Sequence, residues 1–284
     1  MTAAVITAVP PADVVPGALT RLGGLTPLDV GSGWVPPGTH GAEPFNVYLL
    51  REGDVGLLVD SGPRAVTPIL LDQLEKTWTG RDLSVVLLRN ELEAIGGVGP
   101  LLARYPDAKL IYPGGGGVLD WIDFRQQVGD REHDLRYEAA LVLGHPDAIE
   151  LGLARPVRLV QPTISNLTIT WLYDAACQAM FCTDAFSFIH APSAEGAGSE
   201  SVILDQVPAH VNAEYVAAHL AERYFWLRKA DVRPAREKIR AAFEQYEVSV
   251  LCPSRGAVVR GPDTVAQLVA TTLDAIDLIP RYQW

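Results

Sequence analysis

The chain of 284 residues is 48% hydrophobic and carries a formal net charge of −11 at pH 7. This composition is typical of a globular α/β domain with a sizeable core, and its acidic balance argues against a surface that tracks nucleic-acid phosphates. Apolar runs such as Ser84–Leu88 end far short of the roughly 20 residues that a membrane helix needs. We therefore expect one domain over residues 1–284, with neither a nucleic-acid nor a membrane partner.

The N-terminal segment Met1–Pro16 is small and apolar but lacks the basic region that begins a secretory signal. Residues 1–40 are therefore predicted to form a surface arm and the region of the first strand, and the protein is predicted to be cytoplasmic. Cys177, Cys182 and Cys252 stand in apolar, strand-like surroundings, which favours reduced core thiols over a disulfide framework. A redox pair of Cys182 and Cys252 is the minor alternative.

Strand and helix signals alternate along the first half, as in α/β proteins. Two runs around a Glu-Gly-Asp turn predict a hairpin, Phe45–Arg51 and Val55–Asp60. A helix, a strand, a second helix and a second strand are predicted next, at Arg64–Trp78, Ser84–Leu88, Gly97–Tyr105 and Ala108–Tyr112. The run Gly114–Gly117 predicts a turn and not a phosphate loop, because it lacks the following lysine and Ser or Thr.

A second set of strands follows a mostly helical middle region. The strands are predicted at Val157–Val160, Leu167–Tyr173, Ala179–Cys182 and Val248–Cys252. Helices at about Ala213–Lys229 and Arg236–Gln245 separate the last two strands, and a final helix is predicted over about Asp263–Leu278. Two strand-rich halves, each followed by helices, predict two packed sheets with helices on both outer faces.

Five short segments at the predicted strand ends resemble those of flavodiiron proteins, in the same order. They are LVDSG at Leu58–Gly62, RNELEAIGG at Arg89–Gly97, LGHPDAI at Leu143–Ile149, FCTDAF at Phe181–Phe186 and CPSRG at Cys252–Gly256. The family's last four segments read H-x-[HE]-x-D-H-x-G, L-H-W-P-D-S-M, F-S-x-D-A-F and A-P-S-H-G. The resemblance implies an α/β chain with the αββα sandwich of the metallo-β-lactamase fold. It also implies that the family's flavodoxin domain is missing, because the chain ends where that domain would begin.

The resemblance also assigns the family's seven metal-ligand places. They fall on Arg89, Glu91, Glu93, Ala94, Gly144, Asp184 and Arg255. Imidazole and carboxylate are the ligands that suit iron, zinc or manganese. All four histidine places are lost here, whereas the three carboxylate places stay acidic. Because guanidinium groups stay protonated and bind carboxylates, we expect a salt-bridge cluster at one edge of the two sheets in place of the di-metal centre.

The leading functional hypothesis is a metal-free pseudoenzyme without a cofactor, which binds a small anionic ligand or a protein partner through this cleft. The resemblance implies a homodimer, and no di-iron oxygen or nitric-oxide reductase activity is expected. One alternative is a relocated site for a single Fe, Mn or Zn ion, using the carboxylates with His145 or His190, in an oxidoreductase or hydrolase. Another is metal-free acid–base catalysis by Glu91, Glu93 or Asp184.

Overall fold

The computed structural model describes residues 6–28, 34–89, 91–112, 148–149, 153–161, 164 and 169–281. Its strands form two sheets, each with seven strands among the described residues. The first sheet contains β1 (Thr7–Ala8), β2 (Ala12–Val15), β3 (Leu19–Pro27), β4 (Ala42–Glu52), β5 (Val55–Val59), β6 (Asp82–Val86) and β7 (Lys109–Ile111). The second contains β8 (Ala148–Ile149), β9 (Val157–Val160), β10 (Trp171–Asp174), β11 (Ala179–Thr183), β12 (Ile203–Leu204), β13 (Val250–Pro253) and β14 (Val258–Arg260).

Helices follow the strands of both sheets. The α-helices are α1 (Thr67–Thr77), α2 (Leu92–Ile95), α3 (Val98–Arg104), α4 (Ala213–Arg223), α5 (Arg233–Gln245) and α6 (Pro262–Leu278). Short 3-10 helices lie at Arg64–Val66, Ser199–Ser201, Phe225–Lys229 and Ile279–Arg281. None of the described helices is long and apolar enough to cross a membrane.

The strand order brings several chain turns to one edge of the sandwich. In the first sheet, β1 and β2 both pair with β3, and the order continues β4, β5, β6 and β7, with β5, β6 and β7 parallel. The second sheet has the order β12, β14, β13, β11, β10, β9 and β8, and β11 runs parallel to β13. Because parallel strands end at the same edge of a sheet, the residues that follow β5, β6, β11 and β13 can meet.

Each sheet buries both of its faces. In β4, Val47 and Leu49 pack with residues of α1 and α3, whereas Tyr48 and Leu50 pack between the sheets. Successive strand residues point to opposite faces, and β11 shows the same alternation, with Phe181 between the sheets and its neighbours on the helical side. The architecture is the αββα sandwich that the sequence predicts.

The alternation also separates the two strand cysteines. Cys182 packs under the helices of the second sheet, whereas Cys252 packs between the sheets. Both thiols are free and buried, as is Cys177. The two thiols therefore lie on opposite faces of the sheet, and all three cysteines are core residues as expected.

Most predicted elements lie within a few residues of their expected positions, and the first strands lie within residues 1–40 as predicted, but the surface arm is wrong. Residues 1–16 were expected as a surface arm, yet β1 and β2 pair with β3, and Val9 and Val14 are buried. Gln73 of α1 fastens this segment by donating to the carbonyl of Val9 over 2.6 Å. Six strands were not predicted individually: β1, β2, β3, β8, β12 and β14. The Gly114–Gly117 turn and the helical middle lie outside the described residues.

Candidate functional site

The candidate site lies where the two sheets meet at the ends of β6, β11 and β13. Arg89 follows β6, Glu91 and Glu93 stand at the start of α2, Asp184 follows β11 and Arg255 follows β13. Isolated bridges join Arg89 to Ile169 and Arg255 to Phe45 across the chain. Backbone pairing therefore fixes both arginines at this edge.

Six side chains form a closed ring of alternating charge, which we call the charge ring. It consists, in order of contact, of Arg89, Asp184, Arg223, Glu43, Arg255 and Glu93. Arg89 binds Asp184, and Arg223 Nη1 lies 2.9 Å from the second oxygen of Asp184. Arg223 Nη2 lies 3.7 Å from Glu43, which also binds Arg255. Three guanidinium groups thus alternate with three carboxylates.

Glu93 completes the charge ring at the mouth of the site. Arg255 Nη1 donates to both of its carboxylate oxygens over 3.0 Å, and Arg89 Nη1 lies 3.8 Å from the same group. The guanidinium of Arg255 also lies over the ring of Phe45, with 5.3 Å between Cζ and the ring centroid. Such a cation–π contact adds to the attraction that holds the arginine. The ring as a whole carries no net charge.

Burial and ion pairing compete at the centre of the charge ring. Burial pushes the pKa of Asp184 upward, but Arg89, Arg223 and Arg255 outweigh it and hold that pKa below its ordinary value. Burial lowers the pKa of Arg89, but Asp184 and Glu91 raise it by a larger amount. The pKa of Arg89 therefore lies above its ordinary value. The side chains of Arg89 and Glu43 are 1% and 0% exposed. Arg89 and Asp184 are therefore a buried pair of opposite charges, and each stabilises the charge of the other.

Glu91 is a surplus carboxylate attached to the outside of the charge ring. Its Oε2 lies 3.2 Å from Arg89 Nη1, and a quarter of its side chain is exposed to solvent. Burial raises its pKa, and the neighbouring Asp184 and Glu93 add to the rise, against the opposing effect of Arg89. Glu91 therefore adds one negative charge to the neutral charge ring when it is ionised.

Asp60, at the end of β5, joins the two arginine-bearing loops. Its Oδ1 accepts from the backbone N–H of Leu88 over 2.8 Å, and its Oδ2 accepts from the hydroxyl of Ser254 over 3.0 Å. Leu88 and Ser254 immediately precede Arg89 and Arg255. Asp60 is buried in a left-handed backbone conformation (φ 62°), and burial raises its pKa to about 6. A strained residue at this position is held by the surrounding structure.

Asn46 of β4 clamps the loop that carries Arg255. Its side-chain amide donates to the carbonyls of Pro253 and Gly256 over 2.8 and 2.7 Å, and its backbone N–H donates to the carbonyl of Ser254. The buried Arg21 donates to Asn46 Oδ1 over 2.8 Å, which fixes the direction of the amide. Arg255 thus projects from a loop that is bonded on both sides.

The predicted site residues have different outcomes. Arg89, Glu91, Glu93, Asp184 and Arg255 lie in one contact network. Ala94 is buried nearby and takes part through its carbonyl, which accepts from the backbone N–H and hydroxyl of Ser61. Gly144 and His145 lie outside the described residues.

His190 lies beside another histidine and makes no hydrogen bond or ion pair with the site carboxylates. Its ring centroid is 5.4 Å from that of His219, and neither of its nitrogens has a hydrogen-bond partner among the described residues. Burial, together with the nearby His219, Arg223 and Arg255, lowers its pKa to about 3. The positive surroundings of this imidazole oppose a cation.

The donor set at the family's ligand places does not fit a di-metal centre. Arg89 and Arg255 occupy two of the histidine places, and a guanidinium group has no lone pair to offer a metal. Their contacts also occupy Glu93 and Asp184, and Ala94 has no donor side chain. Among the described residues, no group of three or more His, Cys, Asp and Glu side chains could hold a metal ion.

Comparisons with known proteins identify the fold. No family model matches the chain, and no curated protein matches it by sequence. The rubredoxin oxygen:oxidoreductase of Desulfovibrio gigas superposes with a TM-score of 0.62, at 17% identity over 94% of this chain and 61% of its own. The flavodiiron protein of Giardia intestinalis gives 0.61, at 14% identity over 96% of this chain and 60% of its own. The chain has the metallo-β-lactamase fold of a flavodiiron core.

This similarity concerns the fold and not the chemistry. The chain spans about three fifths of the length of these flavodiiron relatives. It matches 99% of a fragment, residues 1–254, of a diflavin flavoprotein from Nostoc sp., with a TM-score of 0.58 at 16% identity. At such identities the activity of a relative does not transfer to this chain.

Sequence reasoning missed three members of the site. Glu43 and Arg223 belong to the charge ring, and Asp60 joins its loops. Asp60 stands inside the LVDSG segment, so its position at a strand end was visible. Glu43 and Arg223 lie outside all five family segments, and their role becomes apparent only when β4 and α4 are packed together.

Proposed function

We propose that this chain is a metal-free flavodiiron-like protein without catalytic activity, which acts by binding a partner. The charge ring carries this proposal. The resemblance to the family implies metal ions at this place. Three guanidinium groups lie among the carboxylates there instead, and they supply the positive charge that the metal ions would supply. The groups that would otherwise ligate a metal are thereby engaged in ion pairs.

Stability alone is a weak explanation for such a cluster. The desolvation of buried charges can offset their attraction, so apolar residues of similar volume are often equally stable. The charge ring does, however, hold the ends of β6, β11 and β13 and the helix α4 in one arrangement. We infer that its role is to shape this edge of the sandwich for recognition.

The balance of charge bears on the ligand. A small anion would have to displace carboxylates from all three arginines of a neutral ring, and Glu91 would repel it. Among the ligands expected from the sequence, we therefore favour a protein partner over a small anion. The cytoplasmic location and the homodimer remain predictions, and light scattering on a sizing column tests the latter.

Metal analysis of the purified protein tests the proposal. Protein expressed in medium containing iron, manganese and zinc should retain substantially less than one metal ion per chain. Its melting temperature should not change when excess Fe, Mn or Zn ions are added, because a ligand that binds the folded state must raise it. A bound ion at one equivalent, with a metal-dependent rise in melting temperature, would instead support the relocated site.

A further inference from the structure

The most exposed charged groups of the site belong to one tripeptide, Glu91-Leu92-Glu93. Within the site, Glu91 and Glu93 have side chains that are 25% and 33% exposed, whereas the three arginines are 1%, 6% and 2% exposed. Glu43 and Asp184 are also more buried than these two glutamates. An approaching molecule therefore meets carboxylate before it meets guanidinium.

Exposed apolar side chains accompany these glutamates. Leu92, which lies between them, is 63% exposed, and Trp34 is 50% exposed. Trp34 lines a small recess together with Asp184 and Arg223 of the charge ring. The other large hydrophobic residue exposed among the described residues is Phe225, two positions after Arg223. Protein interfaces combine apolar contacts with a polar rim, and Leu92 with its flanking glutamates offers both.

Resting on the proposed function, we propose that this edge binds a segment of a partner protein that presents lysine or arginine beside an apolar side chain. The basic group pairs with Glu91 and neutralises this carboxylate, which lies outside the charge ring. The apolar side chain lies against Leu92 and the indole of Trp34. A second copy of the chain is disfavoured at this edge, because each copy carries a net charge of −11 and a symmetric contact would bring two acidic edges together.

Two synthetic peptides test the chemistry of the partner. The first alternates leucine and arginine over six residues with blocked ends, and the second replaces each arginine with glutamate. Binding is followed by NMR shifts of the Trp34 indole N–H and by fluorescence anisotropy. The basic peptide should bind saturably, more weakly as salt rises, and the acidic peptide should not bind.

Variants locate the contact. Glu91→Gln combined with Leu92→Ser should weaken the basic peptide about tenfold, a loss of about 1.4 kcal/mol. Asp72→Asn, which changes an exposed carboxylate paired with Lys76 on α1, is the matched control and should bind the peptide like the unmodified protein. Equal binding of both peptides, or unaltered affinity in the Glu91 and Leu92 variant, would overturn the inference. Unchanged melting curves show that the variants fold.

The outcomes separate this inference from the proposed function. A protein that purifies without metal but ignores the basic peptide retains the metal-free charge ring and loses this docking surface. A protein with a stoichiometric metal ion loses the proposed function itself, whatever the peptide does. If the protein bound only the acidic peptide, arginine side chains would have to be accessible at this edge. That result would contradict the greater exposure of the carboxylates.

Discussion

Replacing Arg89 by methionine removes the cation that most of the site's carboxylates share. Arg89 is buried and contacts Asp184, Glu91 and Glu93. Breaking a buried ion pair from one side commonly costs about 3 to 5 kcal/mol. For a chain of this size we expect a fall in melting temperature of about 10 °C at pH 7. Methionine keeps most of the side-chain volume, so lost packing contributes little.

The sign of the pH dependence follows from the pKa shifts. Arg89 and its neighbours hold the pKa of Asp184 below its ordinary value, so the stabilisation from Asp184 is complete at pH 5 and above in the unmodified protein. Without Arg89, the folded-state pKa values of Asp184, Glu91 and Asp60 all rise. A raised carboxyl pKa means that the folded state gains stability as the pH falls. The deficit of the variant should therefore shrink between pH 7 and pH 5.

Urea denaturation followed by circular dichroism at both pH values measures the effect. Arg233→Met serves as the control, because Arg233 is 83% exposed and pairs with Asp231 at the surface; its stability should match that of the unmodified protein. A deficit of the same size at pH 5 and pH 7 would assign the cost to packing. No deficit at either pH would refute the charge ring as an energetic unit.

Two further changes test the groups that position the arginines. Asn46→Asp keeps the shape of the side chain but removes the amide donors to the carbonyls of Pro253 and Gly256, so it should cost about 1 to 3 kcal/mol in urea denaturation at pH 7; Asn46→Gln, which retains an amide on a longer side chain, shows whether its exact reach matters. Asp60 has a folded pKa of about 6, above its unfolded value, so it contributes stability that appears as the pH falls through about 6 and is complete below the unfolded pKa. In Asp60→Asn this contribution should vanish from the pH dependence of unfolding, and an unaltered profile between pH 4 and pH 7 would contradict the assignment.

The fold could be predicted because its strongest signals are local. Buried strands such as β6 and β11 are short apolar runs, and α6 has helical periodicity over its whole length. The N-terminal strands gave no such signal. β1 and β2 contain two and four residues, and their strand geometry depends on pairing with β3. Short edge strands of this kind are specified by tertiary contacts.

The candidate site could be predicted only where side chains follow strands that carry a recognisable segment. Arg89 and Arg255 could be proposed as partners of carboxylates because of their places beside Glu93 and Asp184 in such segments. Glu43 lies near the start of β4 and Arg223 at the end of α4. The two residues are 180 positions apart, and no local sequence pattern links them. Pairing between them requires the packed sandwich, and no pattern in one sequence contains that information.

The charge ring and a di-metal centre are alternative solutions to the same electrostatic problem. Carboxylates that converge at the edge of two sheets need positive charge, or their pKa values rise. A metal ion supplies two charges at one point and leaves room for a substrate or water. A guanidinium supplies one charge, fills space and holds its partners by directed hydrogen bonds. Arg89, Arg223 and Arg255 together balance Asp184, Glu43 and Glu93, so these three carboxylates are already engaged and a metal ion bound among them would be repelled by three cations. Of the carboxylates that contact Arg89, Glu91 is the one outside the charge ring, and a single proton or one basic side chain of a partner is sufficient to balance it.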